Sequence, residues 1–225
     1  MAKLTMQHFC GKSAVIFNLT GVLIDRNSRI PFIATKSASR QIDPYHIRRY
    51  ITGDDINQFR HLANFYRIKD YAKFFTKAVN GMADRLHYVD VVPGVGNLIE
   101  TLRQQNIRIG VVSNYGKELT NIAINKLRKE RIHYDVIINR DNVMVPPPAP
   151  WQLYRCMESL NTFPDYCMYI STNNSIDGYY AKVDTACIGK NNSLRIQQNS
   201  KYYCDNLGEL VKEVMDCRNR NIKIN

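Results

Sequence analysis

The sequence predicts an α/β fold: a doubly wound, Rossmann-like parallel sheet with a small helical cap insertion. Three observations carry this. Short apolar runs alternate with helical patterns over the second half of the chain, the signature of βαβ units. An apolar burst, Ala14-Val15-Ile16-Phe17, precedes a turn glycine, as in a strand buried on both faces. Between them, residues 26–88 change texture, becoming rich in Tyr, Phe, Arg, His and Lys at helical spacing.

The elements follow in order. Residues 14–18 form the first strand. In the insertion, Phe59, Leu62, Ala63, Phe65 and Tyr66 mark one helical face, and Tyr71, Phe74, Phe75 and Ala78 another. Pro44 after Asp43 suits a helix start. Val92-Pro93-Gly94 marks the return from the insertion. Helices are expected at 95–105, 118–130, 151–160, 179–182 and 207–217, with strands at 107–112, 136–138, 167–170 and 186–188. The resulting division is 1–25 with 89–225 as the α/β core, and 26–88 as a reduced helical cap. Ligands of such sheets sit at the carboxyl ends of the strands, at the point where strand order reverses.

Composition narrows the function classes. Hydrophobic residues are 44% of 225, enough for a packed core. No stretch approaches the ~18 apolar residues of a membrane span. Residues 1–12 are basic but lack the long apolar segment of a secretory signal, and they are short for a transit peptide. Six scattered cysteines form no CxxC and no zinc-finger spacing, so they are expected as reduced thiols in the cytoplasm or mitochondrial matrix. Five histidines have no metal-ligand spacing. Gly94-Val95-Gly96 lacks the third glycine of a dinucleotide-binding loop. Trp151 after Pro150 is expected to pack a helix start rather than stack on a base.

The segment 14–25, AVIFNLTGVLID, resembles the first motif of the haloacid dehalogenase superfamily. Residues 94–119 and the Ala149-Pro150-Trp151 segment are most similar to its phosphonoacetaldehyde hydrolase-like branch. The resemblance covers most of residues 14–189. It implies a nucleophilic aspartate beside Mg²⁺, and at that position stands Asn18. A neutral amide is no useful nucleophile and a poor magnesium ligand. Thr20 follows, where this branch already uses a small residue. The second motif's hydroxyl is matched by Ser113, the candidate phosphate-binding residue. The third motif's cation aligns with Pro147. The fourth motif's two acids align with Thr172 and Ile176, Asp177 falling one residue late. The cap lysine that would form a Schiff base aligns with Gln41, Lys36 being out of register.

Five replaced positions in a preserved frame predict a catalytically degenerate protein, because losing a nucleophile or its partner costs several powers of ten in rate. No cofactor and no metal are then expected; Mg²⁺ enters only under an alternative reading, a degenerate phosphonoacetaldehyde hydrolase-like or phosphatase-like enzyme using Asp25 or Asp177. A further alternative is a ligand sensor that keeps Ser113 without chemistry. Thirty-one Lys and Arg against 20 Asp and Glu give a net charge of +11 and a pI near 9.4. Such a surface favours anionic partners, RNA or an acidic protein subunit. The basic surface candidates are Arg48, Arg49, Arg67, Lys69 and Lys73 in the insertion, interleaved with tyrosines, and Lys126, Arg128 and Lys129 beyond it. The expected role is a structural or binding subunit of a larger assembly, a mitochondrial or ribonucleoprotein complex being one fit. The bland alternative is a solvated helical face with its aromatics turned inward.

Overall fold

The computed structural model describes residues 1–25, 34–36, 38–39, 41–43, 45, 55–145, 147–172, 176–189, 199–208 and 210. Its centre is a parallel sheet of seven strands: β1 (Ala2–Lys3), β2 (Ala14–Asn18), β3 (Arg108–Val112), β4 (Val136–Ile138), β5 (Cys167–Ser171), β6 (Asp184–Ile188) and β7 (Tyr202–Cys204). The order is β1-β7-β6-β5-β2-β3-β4. From β2 the chain first winds outward through β3 and β4, then crosses to β5 on the other side of β2 and winds through β6 and β7. The reversal therefore falls at β2, between β3 and β5.

The pleat divides the core in two. Val15, Phe17, Met168 and Ile170 point to one face, where they join the larger apolar cluster. Ala14, Ile16, Cys167 and Tyr169 point to the other, under helix α5 (Trp151–Ser159). Alternate residues thus serve opposite faces, so every residue of β2 is buried, as the continuous apolar run predicts. Gly110 on β3 lets α5 approach: a Cβ there would lie 2.5 Å from Cys156 Sγ and 2.9 Å from Leu160 Cδ1.

The insertion contributes helices α1 (Asp55–Phe65) and α2 (Tyr71–Leu86). Phe59, Leu62, Phe74, Ala78 and Met82 are buried in the same apolar cluster as Leu98, Leu102 and Leu127, so these helices rest on the core rather than stand apart. Helix α2 packs on α4 (Lys117–Lys129) and against α1, while α3 (Val95–Gln104) adds its own buried face to the cluster. Where the insertion leaves and rejoins the core, the two chain segments run side by side: Asp25 N donates to Asp90 O, Val92 N donates to Leu23 O, and Ile24 bridges Val91.

Helix ends share one device. Arg67, Asn106, Arg131, Asn161 and Lys182 all have left-handed φ, between 47° and 59°. In each case the next residue's N–H returns to a carbonyl five residues back, as Ile107 N to Leu102 O and Val183 N to Gly178 O. This is the Schellman closure of a helix.

Some sequence expectations need correction. The short helix expected at 179–182 is α6 (Ile176–Tyr180), three residues earlier. The strand expected at 186–188 begins at Asp184. The edge strand β1 and its neighbour β7 were not expected; both are short, and β7 reads Tyr-Tyr-Cys with polar neighbours on either side. Most of the expected final helix lies outside the described residues, as do Pro44, Arg48 and Arg49. Among the described residues no helix is long and apolar enough to cross a membrane. Cys10, Cys156, Cys167, Cys187 and Cys204 are free thiols.

Candidate functional site at the strand ends

The carboxyl ends of β2, β3 and β5 lie side by side. Asn18 pairs in register with Val112, so Ser113 is the first residue beyond β3 at the same level. Phe17 pairs with Ile170, which sets Ser171 and Thr172 beside Asn18. The parallel register thus brings together Asn18, Ser113 and Thr172, which are far apart in sequence.

Asn18 is 6% exposed and is held in a side-chain network. Its amide and the Ser171 hydroxyl lie beside the hydroxyl of Tyr169, where both favour the ionised phenol. The Tyr169 hydroxyl donates to Asp177 Oδ2 at 3.2 Å. Asp177 Oδ1 accepts from Gly178 N at 3.0 Å. Burial pushes the Asp177 carboxyl up to about 6, against the opposing pull of those hydrogen bonds. Burial, and then the nearby Asp177 charge, hold the Tyr169 hydroxyl well above its ordinary range. Gly178 is needed for this approach, since a Cβ would lie 2.2 Å from Thr185 Cγ2 and 2.9 Å from Tyr169 Cδ1.

Ser113 is fully buried. Its hydroxyl oxygen accepts from Tyr115 N at 3.2 Å and shares a hydrogen bond of 2.9 Å with the Thr120 hydroxyl, which also reaches the Tyr115 carbonyl at 3.0 Å. Its carbonyl accepts from Gln152 Nε2 at 2.8 Å. The loop after β3 is fixed from the other side by Asp141, whose carboxylate accepts from Lys117 N at 2.7 Å at the start of α4.

Tyr169 and Gln152 were missed by sequence reasoning. A tyrosine in an otherwise apolar strand is the available signal, because a buried tyrosine hydroxyl finds a partner. Gln152, one residue into α5 and 3% exposed, had no such signal.

The other aligned positions behave differently. Thr20 is half-buried and bridges Ile24 in the turn after β2. Pro147 is half-buried in the loop before α5 and supplies no charge. Ile176 opens α6 with an aliphatic side chain. Thr172 Oγ1 is buried with no hydrogen-bond partner. Gln41 does not join this group; it is exposed and lines a separate cleft on the insertion. A magnesium ion prefers hard oxygens from one or two carboxylates. An amide, a hydroxyl, an aliphatic side chain and one carboxyl already bonded to Tyr169 and Gly178 do not fit that ion. Among the described residues no group of three His, Cys, Asp or Glu could hold a metal.

The basic candidates fall in two places. Arg67, Lys69 and Lys73 are exposed at the α1–α2 turn. Lys126 is half-buried and donates to the His87 carbonyl, so it fastens α4 to the end of α2 and is not a free surface cation. Arg128 donates to Asn125 Oδ1 at 3.2 Å, and Lys129 is exposed. Of the interleaved tyrosines, Tyr66 and Tyr71 pack against the core, Tyr71 stacking on Phe75, whereas Tyr45 is exposed. Trp151 is 52% exposed and meets Tyr154 edge-on, so the expected packing role is only half fulfilled.

Comparison with known proteins agrees with this geometry. The family model described as haloacid dehalogenase-like hydrolase matches residues 15–186. A phosphonoacetaldehyde hydrolase of Bacillus cereus (strain AH187) is 27% identical over 78 residues, 35% of this chain and 30% of its own length. The chain therefore matches under a third of that relative. Pyrophosphatase PpaX of Oceanobacillus iheyensis is 24% identical, with 77% of this chain and 82% of that protein covered. Among solved structures, a phosphonoacetaldehyde hydrolase-like protein from Oleispira antarctica superposes with a TM-score of 0.77 at 15% identity, covering 93% of this chain and 94% of that one. A β-phosphoglucomutase from Clostridium difficile gives 0.75 at 16%, covering 95% and 100%. With the strand-end geometry and a family match over most of its length, this chain belongs to the haloacid dehalogenase-like hydrolase family.

Proposed function

We propose that this chain is a non-hydrolytic member of its family, a binding protein that keeps the fold and meets an anionic partner in a reducing intracellular compartment. The observation that carries the reading is the state of Asn18. It stands at the end of the central strand, where the family's chemistry would need a carboxylate, and its amide is buried beside Tyr169. An amide held this way offers no nucleophilic oxygen. The net charge of +11 is what favours an anionic partner, RNA or an acidic protein subunit. The purified protein, assayed with Mg²⁺ against phosphonoacetaldehyde and a generic phosphomonoester, is expected to show no turnover above background. Mg²⁺-dependent turnover abolished by Asn18→Ala would sink the proposal.

A second reading is favoured by one observation. Asp177 lies close to the strand ends, with its carboxyl raised to about 6, and the relatives named above are called hydrolases and a pyrophosphatase. A carboxyl in that range can exchange a proton near neutral pH. Under this reading turnover survives Asn18→Ala and is lost with Asp177→Asn.

A further inference from the structure

The insertion carries a cleft of about 560 Å³ that shares no residue with the strand ends. Arg67, Lys69, Lys73 and Lys77 line it, together with a single acid, Asp70, and the amide of Gln41. Asp70 is already committed: its carboxylate caps α2, accepting from Lys73 N at 2.9 Å. The four cations are exposed, and none of them forms an ion pair among the described residues. Lys73 and Lys77 stand one turn apart on α2, with ~6 Å of axial rise between them, and Lys69 lies just before the Asp70 cap. Arg67 flanks them from the end of α1. Like charges gathered on one concave wall repel each other, and a bound anion of matching charge relieves that repulsion.

The cleft lies on the insertion, and its lining comes from residues 38–41 and 67–77. The core joins α2 at its far end, beyond Leu86, where Asp90 and Val92 pair with Asp25 and Leu23. From Asp70 to Leu86 is about 24 Å along the helix at 1.5 Å per residue. The ligand class follows from size and lining. The volume lies within the ~300–1,000 Å³ range of small-molecule pockets. The one aromatic ring in the lining, Phe74, is buried as the floor, so no ring is presented for base stacking. We propose that this cleft is a binding site for a compact ligand bearing two or more phosphate groups, held by Arg67, Lys69, Lys73 and Lys77. The proposal names a ligand for the anion-binding role inferred above and rests on that part of it. It does not depend on whether the strand ends retain turnover.

The test is calorimetric titration of the whole protein with inorganic tripolyphosphate in EDTA, which removes any metal-dependent contribution from the strand ends. Saturable one-to-one binding is expected. The Lys73→Gln/Lys77→Gln variant is expected to bind at least about tenfold more weakly, since each charge-assisted contact is worth roughly that factor. Lys129→Gln, an equally exposed cation outside the cleft, and Ser113→Ala are expected to bind as the parent does. Circular dichroism confirms that each variant is folded. Absence of binding, or equal losses with Lys129→Gln, overturns the site. Loss with Ser113→Ala instead moves the anion to the strand ends and also overturns it. A single-stranded RNA that binds far more tightly than tripolyphosphate through the same lysines overturns the compact ligand in favour of a strand. Hydrolysis of tripolyphosphate on adding Mg²⁺ would overturn the non-hydrolytic reading and leave this site standing.

Discussion

Asn18, Tyr169 and Asp177 show how three ordinary residues make one buried unit. The first two come from neighbouring strands and the third from the helix that follows β5. Asp177 gains two hydrogen bonds but loses more by leaving water, so its proton is held up to about pH 6. The sign of the consequence is fixed by linkage. Between about pH 4 and 6 the folded chain holds a proton on Asp177 that the unfolded chain has already released, so stability contributed by this residue falls as pH rises through that window. Above about pH 6 the penalty is complete and constant, at most ~3 kcal/mol for a shift of about two units. Asp177→Asn keeps an acceptor for Tyr169 without the charge. It is expected to flatten that part of the stability profile and to be more stable than the parent at pH 7.5, as urea unfolding across pH 4–8 measures. An unchanged profile would mean that Asp177 is solvated.

Elements were legible where a period was long and clean. The strand at 14–18 and the helices of the second half emerged from apolar spacing, because each buries a full stripe or both faces. Strands β1 and β7 escaped notice, since Ala-Lys and Tyr-Tyr-Cys offer no aliphatic run to read. The start of α6 was missed because its close packing depends on Gly178, a residue that lowers helix propensity. The strand-end residues were legible only through resemblance: Asn18 and Ser113 meet through parallel register, which no local pattern encodes. Helix closures offer a test at this scale. Lys182 is an exposed lysine held at φ 56° to end α6. A side chain in that conformation costs ~1–2 kcal/mol, which glycine avoids. Lys182→Gly is therefore expected to stabilise the fold by ~0.5–1 kcal/mol once the greater chain entropy of glycine is subtracted, read from denaturant midpoints. Gly110→Ala is expected to act the other way, by ~1–3 kcal/mol, because the new methyl meets Cys156 and Leu160 inside a packed layer.

At the scale of the whole molecule, charge is the property that the fold does not explain. A +11 chain of this size repels itself, and that repulsion opposes compactness. Among the described residues Lys12 and Lys201 share Asp184, Arg103 meets Asp135, Arg140 meets Asp141 and Arg155 meets Glu158, while the cleft cations have only Asp70 nearby. Salt should then stabilise the protein by screening. At ~0.1 M the screening length is about 10 Å, shorter than the spans between most of these charges. Raising NaCl from about 20 to 200 mM is expected to raise the melting temperature by ~2–4 °C, the shift that ~1 kcal/mol gives a chain of this length. General screening and site binding separate by anion. At matched ionic strength chloride acts through screening alone, whereas phosphate and sulfate, which are also excluded from the surface, act on every variant alike through that exclusion. Only the part of the polyanion effect that disappears in Lys73→Gln/Lys77→Gln belongs to the cleft. A melting temperature indifferent to salt would mean that the excess cations lie too far apart to matter, and the case for an anionic partner drawn from net charge would fall with it.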